Sequence, residues 1–370
     1  MSRPKVKPEH SPYRIANNRI RIGGTAYGLA AEIEDPAGWV WTMLTAMDGS
    51  RSLPQIIEHT RTAHPELTDA TAHSAADQLL ASGHLEDAAA AIPGTLTERD
   101  LIRHDRALGY FRWLDLTPRA SSWEPQARLK DASVTILGVG GTGGIAAMAL
   151  AASGVGRLHC VDPARVELSN LSRQILYTED DIGTPKVEAA VARLNRLNSD
   201  ITVTGSQSGV TGIGDVQALA DHCDVLLLAA DSPPEIRVWT NRACLAAKRP
   251  WVDSSYTGPL IETGAFVPGQ GQCWECNRLH GIERSAGQTP VSPDETDPGR
   301  QAVYHAVGAA AAGLSGYLAA HRVIALIIGV PAPAPGRVEA INLAAPDAPL
   351  VFAYPPHPDC PACGPARLPR

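Results

Sequence analysis

The chain has no surplus of positive charge. Its 370 residues carry 32 lysines and arginines against 39 aspartates and glutamates, a formal net charge of −7. A nucleic-acid binder needs a basic stripe to neutralise phosphates, and none is visible. Aromatic residues make up 5% of the chain, too few for a base-stacking platform. Lysine is scarce: there are five, and Lys186 alone lies between Lys130 and Lys248. Met1 to Ala30 hold no apolar signal-peptide core, so a cytoplasmic location is the expectation. There the seven cysteines are expected reduced or metal-bound rather than paired as disulfides. The most apolar stretch, Ala302 to Val330, carries His305, His321, Arg322 and several glycines. That favours a buried or dimer-facing helix over a membrane span.

What is present is length enough for two domains. Asn18 to Gly23 (NRIRIG) alternates like an edge strand. Trp39, Val40, Met43, Leu44 and Met47 sit at helical spacing, and Asp48-Gly49 makes a turn. Ser52 caps a second helix, Thr68 caps a third running to about Ser82, and Gly83 stops it before an extended His84-Leu85. Short strands, three short helices and a returning strand read as a winged helix-turn-helix. Such domains often bind DNA, but Met1 to Pro93 hold eight basic and eleven acidic residues, the wrong sign for phosphates. The order of elements resembles the PqqD-like fold, which recognises leader peptides. That resemblance covers roughly the first ninety residues and implies a peptide added as an extra strand on a sheet edge. The alternative is a small appended domain that packs on its neighbour. Ala88 to Thr95 reads as a linker, so the expected domains are 1–90 and 98–370.

From Glu98 onward strands alternate with helices. Val134–Leu137, Leu158–Val161, Ile201–Val203 and Val225–Ala229 read as strands, and Lys186–Leu197 as a helix. The fold class is therefore α/β, with a Rossmann-like, doubly wound, mostly parallel sheet. Gly138, Gly140, Gly141 and Gly143 belong to a glycine loop between a strand and a helix, where backbone N–H groups meet phosphates. Asp162 ends the next strand, at the distance where a carboxylate meets ribose hydroxyls. This much does not separate ATP from NAD. The polar run Glu283–Arg300 reads as a long functional loop.

The runs Ser169-Asn170-Leu171-Ser172-Arg173-Gln174 and Asp181-Ile182-Gly183-Thr184-Pro185-Lys186, with the later Ala229-Ala230-Asp231-Ser232, are more specific. In this order, after the strand-end Asp162, they resemble the ThiF/MoeB superfamily, which includes the ubiquitin-activating enzymes. The resemblance runs from Glu98 to the C-terminus. It implies that Arg173 and Lys186 contact the phosphates of ATP with Asn170 alongside, and that Asp231 holds magnesium. A lysine at a helix N-terminus is mildly unfavourable unless an anion sits there, which agrees with that role for Lys186. Arg103-His104-Asp105-Arg106 matches a family segment whose second arginine enters the partner subunit's site, so the resemblance implies a homodimer with Arg106 acting in trans.

Cys273-Trp274-Glu275-Cys276 and Cys360-Pro361-Ala362-Cys363 are two C-x-x-C pairs. Together they make a closed, structural Cys₄ zinc site that staples the C-terminal tail to the core. Cys160, Cys223 and Cys244 are assigned to core packing. Many ThiF/MoeB relatives carry a reactive cysteine after the first pair, but none occurs here between Cys276 and Cys360. A thiol nucleophile has no candidate, so the reaction stops at the adenylate or another nucleophile attacks it.

The two halves together resemble the MccB-type and pantocin-type peptide-modifying enzymes. The resemblance implies ATP-dependent adenylation of a carboxylate, C-terminal or an Asp/Glu side chain, on a ribosomally made precursor peptide. One alternative is adenylation of the C-terminal glycine of a sulfur-carrier or ubiquitin-like protein. Another is a scaffold that delivers a leader peptide to a partner cyclodehydratase. An NAD-dependent oxidoreductase leaves the Arg/Lys set and the cysteine pairs unexplained.

Overall fold

The computed structural model describes residues 1–24, 28–285 and 307–364. Glu283–Arg300 lies, from residue 286 on, outside the described residues, as does His305. The chain forms two compact units, residues 1–128 and 129–370.

In the first unit, β1 (Pro4–Val6) pairs antiparallel with the later β5 (Leu85–Asp87). Between them β2 (Tyr13–Ile15), β3 (Arg19–Ile22) and β4 (Ala31–Glu34) form an antiparallel sheet. The NRIRIG strand is its middle strand, not the expected edge. Ile20 and Ile22 turn into the core, while Arg19 and Arg21 turn outward and pair with Glu32 on β4. Helices α1 (Trp39–Ala46), α2 (Leu53–Ala63) and α3 (Asp69–Ala81) follow. Ser52 and Gln55 form a capping box, and Thr68 Oγ1 accepts from the N–H of Thr71. Met43, Leu44, Met47, Ile56 and Leu79 pack against Ile20, Ile22 and Leu85.

Helices α4 (Glu98–Arg103) and α5 (Asp105–Leu114) belong to this unit as well. Buried Lys7 donates to the carbonyls of Gly83 (2.7 Å) and Asp115 (2.6 Å), and Arg112 grips Glu86 at 2.8 and 3.0 Å. These ties hold Glu98–Arg128 against the N-terminal strands, so the compact units divide 30 residues past Glu98, inside α6 (Glu124–Asp131).

The second unit is α/β. In chain order it holds β6 (Ser133–Leu137), α7 (Gly141–Ala152), β7 (Arg157–Val161), α8 (Lys186–Leu197), β8 (Thr202–Ser206), α9 (Ile213–Asp221), β9 (Val225–Leu228) and α10 (Ile236–Ala247). Then come β10 (Trp251–Thr257), β11 (Leu260–Phe266), α11 (Trp274–Ser285), α12 (Ala309–Ile328), β12 (Val338–Asn342) and β13 (Leu350–Phe352). The sheet order is β13-β12-β11-β10-β9-β6-β7-β8. The pairs from β10 to β8 are parallel, and those from β10 to β13 antiparallel. The chain winds outward from β6 in both directions, which opens a crevice at the carboxyl ends of β6 and β9.

Helix α12 is long and apolar enough to cross a membrane by length and composition, yet half of its most apolar window is buried. It packs on α7, β10 and β11 as a core helix. At Gly316 a Cβ would stand 2.6 Å from both Ile145 Cβ and the Thr142 carbonyl oxygen, so glycine lets α12 and α7 touch.

Candidate functional site

The crevice floor is the turn from β6 into α7. Gly138 has φ +93°, and a Cβ there would stand 2.7 Å from the Ala229 carbonyl oxygen. Glycine therefore lets the loop pass beside the end of β9. Asp162, 7% exposed at the end of β7, accepts from the N–H of Val139 (2.9 Å) and of Ala164 (2.9 Å). Tyr177 donates its hydroxyl to the Val139 carbonyl at 2.7 Å. The loop is thus fixed from both sides, with the start of α7 left to face a ligand.

The Ser169–Gln174 run wraps over this loop. Asn170 Oδ1 accepts from the Glu167 N–H at 3.2 Å, closing a tight turn. A Cβ on Gly141 would lie 3.8 Å from the Arg173 carbonyl oxygen, and one on Gly140 would lie 3.7 Å from Gln174 Nε2. Buried Gln174 has an Oε1 without a partner among the described residues. Arg173 is half-buried; its Nη1 donates to the Ser169 carbonyl at 3.1 Å, and its charge acts on the nearby Tyr256 hydroxyl. Burial pushes that hydroxyl's pKa up, and the arginine opposes the shift.

The Asp181–Lys186 run reaches the same place by its backbone. The N–H of Lys186 donates to the Ala164 carbonyl at 3.0 Å, two residues past Asp162. Lys186 opens α8 and is 8% exposed. So the glycine loop, Asp162, Asn170, Arg173 and Lys186 converge around the ends of β6 and β7.

Asp231 follows β9, with its side chain 55% exposed. One carboxylate oxygen accepts from Arg237 Nη2 at 2.7 Å, while Arg237 Nε donates to Asp253 at 3.2 and 3.3 Å. The neighbouring Asp253 raises the Arg237 pKa further. Burial pushes the Asp253 carboxyl up, against the pull of Arg237. Arg237 and Asp253 carry no motif, and sequence reading assigned neither a role. Arg106 lies on α5 in the first unit, fully exposed and 3.9 Å from Asp105.

The four C-x-x-C thiols come together. Cys273–Cys276, Cys273–Cys360, Cys276–Cys363 and Cys360–Cys363 are 3.8, 3.6, 3.3 and 3.7 Å apart, sulfur to sulfur. A tetrahedron with Zn–S bonds of about 2.3 Å has edges of about 3.8 Å, so the donor set fits zinc. Asn241 Nδ2 donates to Cys273 Sγ (3.5 Å) and the His357 N–H to Cys276 Sγ (3.3 Å). Next to it His280, Glu283 and His357 also cluster. There the Asp359 N–H donates to His357 Nδ1 (3.1 Å), which leaves Nε2 carrying a proton towards Glu283 (2.9 Å). That is a neutral imidazole donating to a carboxylate, which leaves Nε2 no lone pair for a metal.

Comparison with known proteins follows this geometry. A model of the ThiF family matches residues 114–362. The sulfur carrier protein ThiS adenylyltransferase of Escherichia coli (strain K12) is 33% identical over 240 residues, 65% of this chain and 86% of its own. Among solved structures, E. coli MccB superposes with a TM-score of 0.80 at 21% identity, covering 100% of this chain and 99% of that one. MccB in complex with N-formylated MccA matches at a TM-score of 0.72 and 21% identity, covering 98% and 99%.

Proposed function

The chain belongs to the ThiF family, and we propose from that premise that it is an ATP-dependent adenylyltransferase acting on a carboxylate of a precursor peptide. One observation carries the choice of a peptide. The sulfur-carrier enzyme's likeness covers 65% of this chain, whereas the likeness to MccB, crystallised with MccA, covers 98% or more. The first unit is thus part of what is shared. Its strands and three helices support the PqqD-like winged-helix reading, with residues 1–90 holding a leader peptide as an added strand. The segment 98–370 carries the adenylation site.

In this reading the N–H groups opening α7 and the cations of Arg173 and Lys186 receive the phosphates, with Asn170 shaping the loop. They stabilise the charge that builds as the peptide carboxylate attacks the α-phosphorus and pyrophosphate leaves. Asp162 meets the ribose. Asp231, half exposed, would hold the magnesium that neutralises the triphosphate, in the carboxylate-plus-phosphate mode usual for that ion. Arg106 would add its charge from the partner of a homodimer, which suits a side chain free in solvent. Cys273, Cys276, Cys360 and Cys363 would hold a structural zinc.

The test is ATP–pyrophosphate exchange with the short peptide encoded nearest the gene, full-length and leader-deleted. Exchange is expected with the full-length peptide, and Asp231→Ala is expected to lower it by about 10²-fold or more. No exchange despite tight leader binding would move the assignment to a scaffold serving a partner cyclodehydratase. Neither exchange nor binding would make a sulfur-carrier protein the substrate to try, as the name of the E. coli relative suggests.

A further inference from the structure

Arg237 and Asp253 stand beside the ATP site, and phosphate binding assigns neither a role. Asp253 lies on β10 in register with Leu228, the last residue of β9. Asp231 stands just past that residue, in the turn before α10, and Arg237 is in the first turn of the helix. A cation at a helix N-terminus is unfavourable unless anions face it, and here two carboxylates do. Asp231 also faces the crevice. A Cβ on Gly138 would stand 2.9 Å from the Cβ of its neighbour Ala230, so the turn lies against the glycine loop. Burial raises the pKa of the Tyr256 hydroxyl and the charge of Asp231 adds to that, and this hydroxyl is 3.6 Å from where a Cβ on Gly141 would stand.

Arg237 spans the two carboxylates. Nε donates to both oxygens of Asp253, at 3.2 and 3.3 Å, and Nη2 donates to Asp231 Oδ1 at 2.7 Å. Exposure rises along this row: the side chains of Asp253, Arg237 and Asp231 are 14%, 22% and 55% exposed. Burial disfavours a charge on Asp253, and Arg237 opposes that. The guanidinium cannot leave without stranding a buried carboxylate, so it is a fixed post. Asp231 is on the solvent side, where a side chain otherwise changes rotamer freely. Held by Oδ1, it keeps Oδ2, which no donor among the described residues hydrogen-bonds. Two carboxylates on one guanidinium leave the group with a net negative charge, which suits a divalent cation.

We propose that Arg237 is a positioning residue for Asp231. Anchored on Asp253, it holds one oxygen of the Asp231 carboxylate and presents the other to the divalent cation that accompanies ATP. Magnesium takes oxygens near octahedral positions at about 2.1 Å, so the direction of one carboxylate decides how well the ion sits. Arg237 acts on the ion through Asp231, in the way outer groups orient metal ligands. Its fork matters as much as its charge. Nε and Nη2 meet two carboxylates at once, and a lysine ammonium on a flexible stem does not hold that geometry. The inference rests on the reading of Asp231 as the magnesium ligand.

The test reads binding, not turnover. ATP is titrated into the full chain by calorimetry, once with magnesium and once with EDTA. The ratio of the two dissociation constants is the gain from magnesium. Arg237→Gln is expected to lower that gain about 10- to 100-fold, and Arg237→Lys nearly as much. Added to Asp231→Asn, Arg237→Gln should lower it no further, since the two residues act as one unit. Because Arg237→Gln strands Asp253, it is also made together with Asp253→Asn. That paired variant, shown to be folded by its melting temperature, should lose the same gain. A gain retained in the paired variant, or restored in full by Arg237→Lys, overturns the proposal. So does a fall of ATP affinity in EDTA as large as the fall with magnesium, which would place Arg237 on the phosphates themselves. If Asp231→Asn keeps the gain, the reading of Asp231 falls and the proposal with it. A gain lost in Asp231→Asn but kept in Arg237→Gln sinks the proposal alone.

Discussion

At Gly143 a Cβ would stand 1.8 Å from the Gly138 carbonyl oxygen, a contact no side chain makes. Gly143→Ala must therefore push the turn out of the crevice. ATP binding, read by calorimetry, is expected to weaken by about 10²-fold or more, since phosphate contacts depend on sub-ångström placement of the backbone. That Asp162, Asn170, Arg173 and Lys186 gather near the glycine loop was legible from short runs of fixed spacing. Arg237 was not. Arg237 lies on a helix and belongs to no motif, and its meaning comes from Asp231 on one side and Asp253 on the other, brought together by β9 and β10.

Helix α8 begins and ends where its pattern predicts, because its apolar stripe meets the sheet and its N-terminus faces the crevice. The antiparallel half of the sheet was illegible as an element pattern. In β10 the sequence Asp253-Ser254-Ser255 is polar on both faces: Ser254 is satisfied by Ser315, while Asp253 and Ser255 line a pocket. Periodicity fails when both faces carry polar groups with partners distant in sequence. Helix α12 offers a paired test of packing. Gly316→Leu should separate it from α7 and cost about 3 kcal/mol or more in urea denaturation. At Gly313 nothing lies within 4 Å of an added Cβ, so Gly313→Ala should be neutral or gain up to about 1 kcal/mol. Equal effects would mean that the helix does not pack as described. The N-terminal strands carry a pH test. Buried His10 and His84 stand 5.1 Å apart, and burial lowers both pKa values from the ordinary 6.5. In the window below 6.5 the unfolded chain binds protons that the folded unit refuses. Stability is thus fully present above about pH 6.5 and falls as pH drops through that window. His10→Gln with His84→Gln should flatten this slope in urea midpoints measured from pH 7 to 5.

Two units were legible from composition and element order, but not their division. Lys7 meets the Asp115 carbonyl and His10 the Arg112 carbonyl across about a hundred residues, and no local period announces such ties. The cysteine centre is the opposite case: its spacing alone predicted the meeting of four thiols that the fold brings within 4.8 Å. A zinc there closes a chain segment of 83 residues between Cys276 and Cys360. By chain entropy such a closure stabilises by about 4–5 kcal/mol, before any gain from the Zn–S bonds themselves. The centre is also tied to the crevice through one helix. Asn241 and Arg242 of α10 hold Cys273 and Glu275, and Arg237, one turn earlier, holds Asp231. Protein purified without chelator is expected to hold about one zinc per chain by elemental analysis. Cys360→Ser should lower both zinc content and the melting temperature. Because α10 carries both contacts, it should also weaken ATP binding, whereas a tail that only caps the surface would lower the melting temperature and leave ATP affinity where it was.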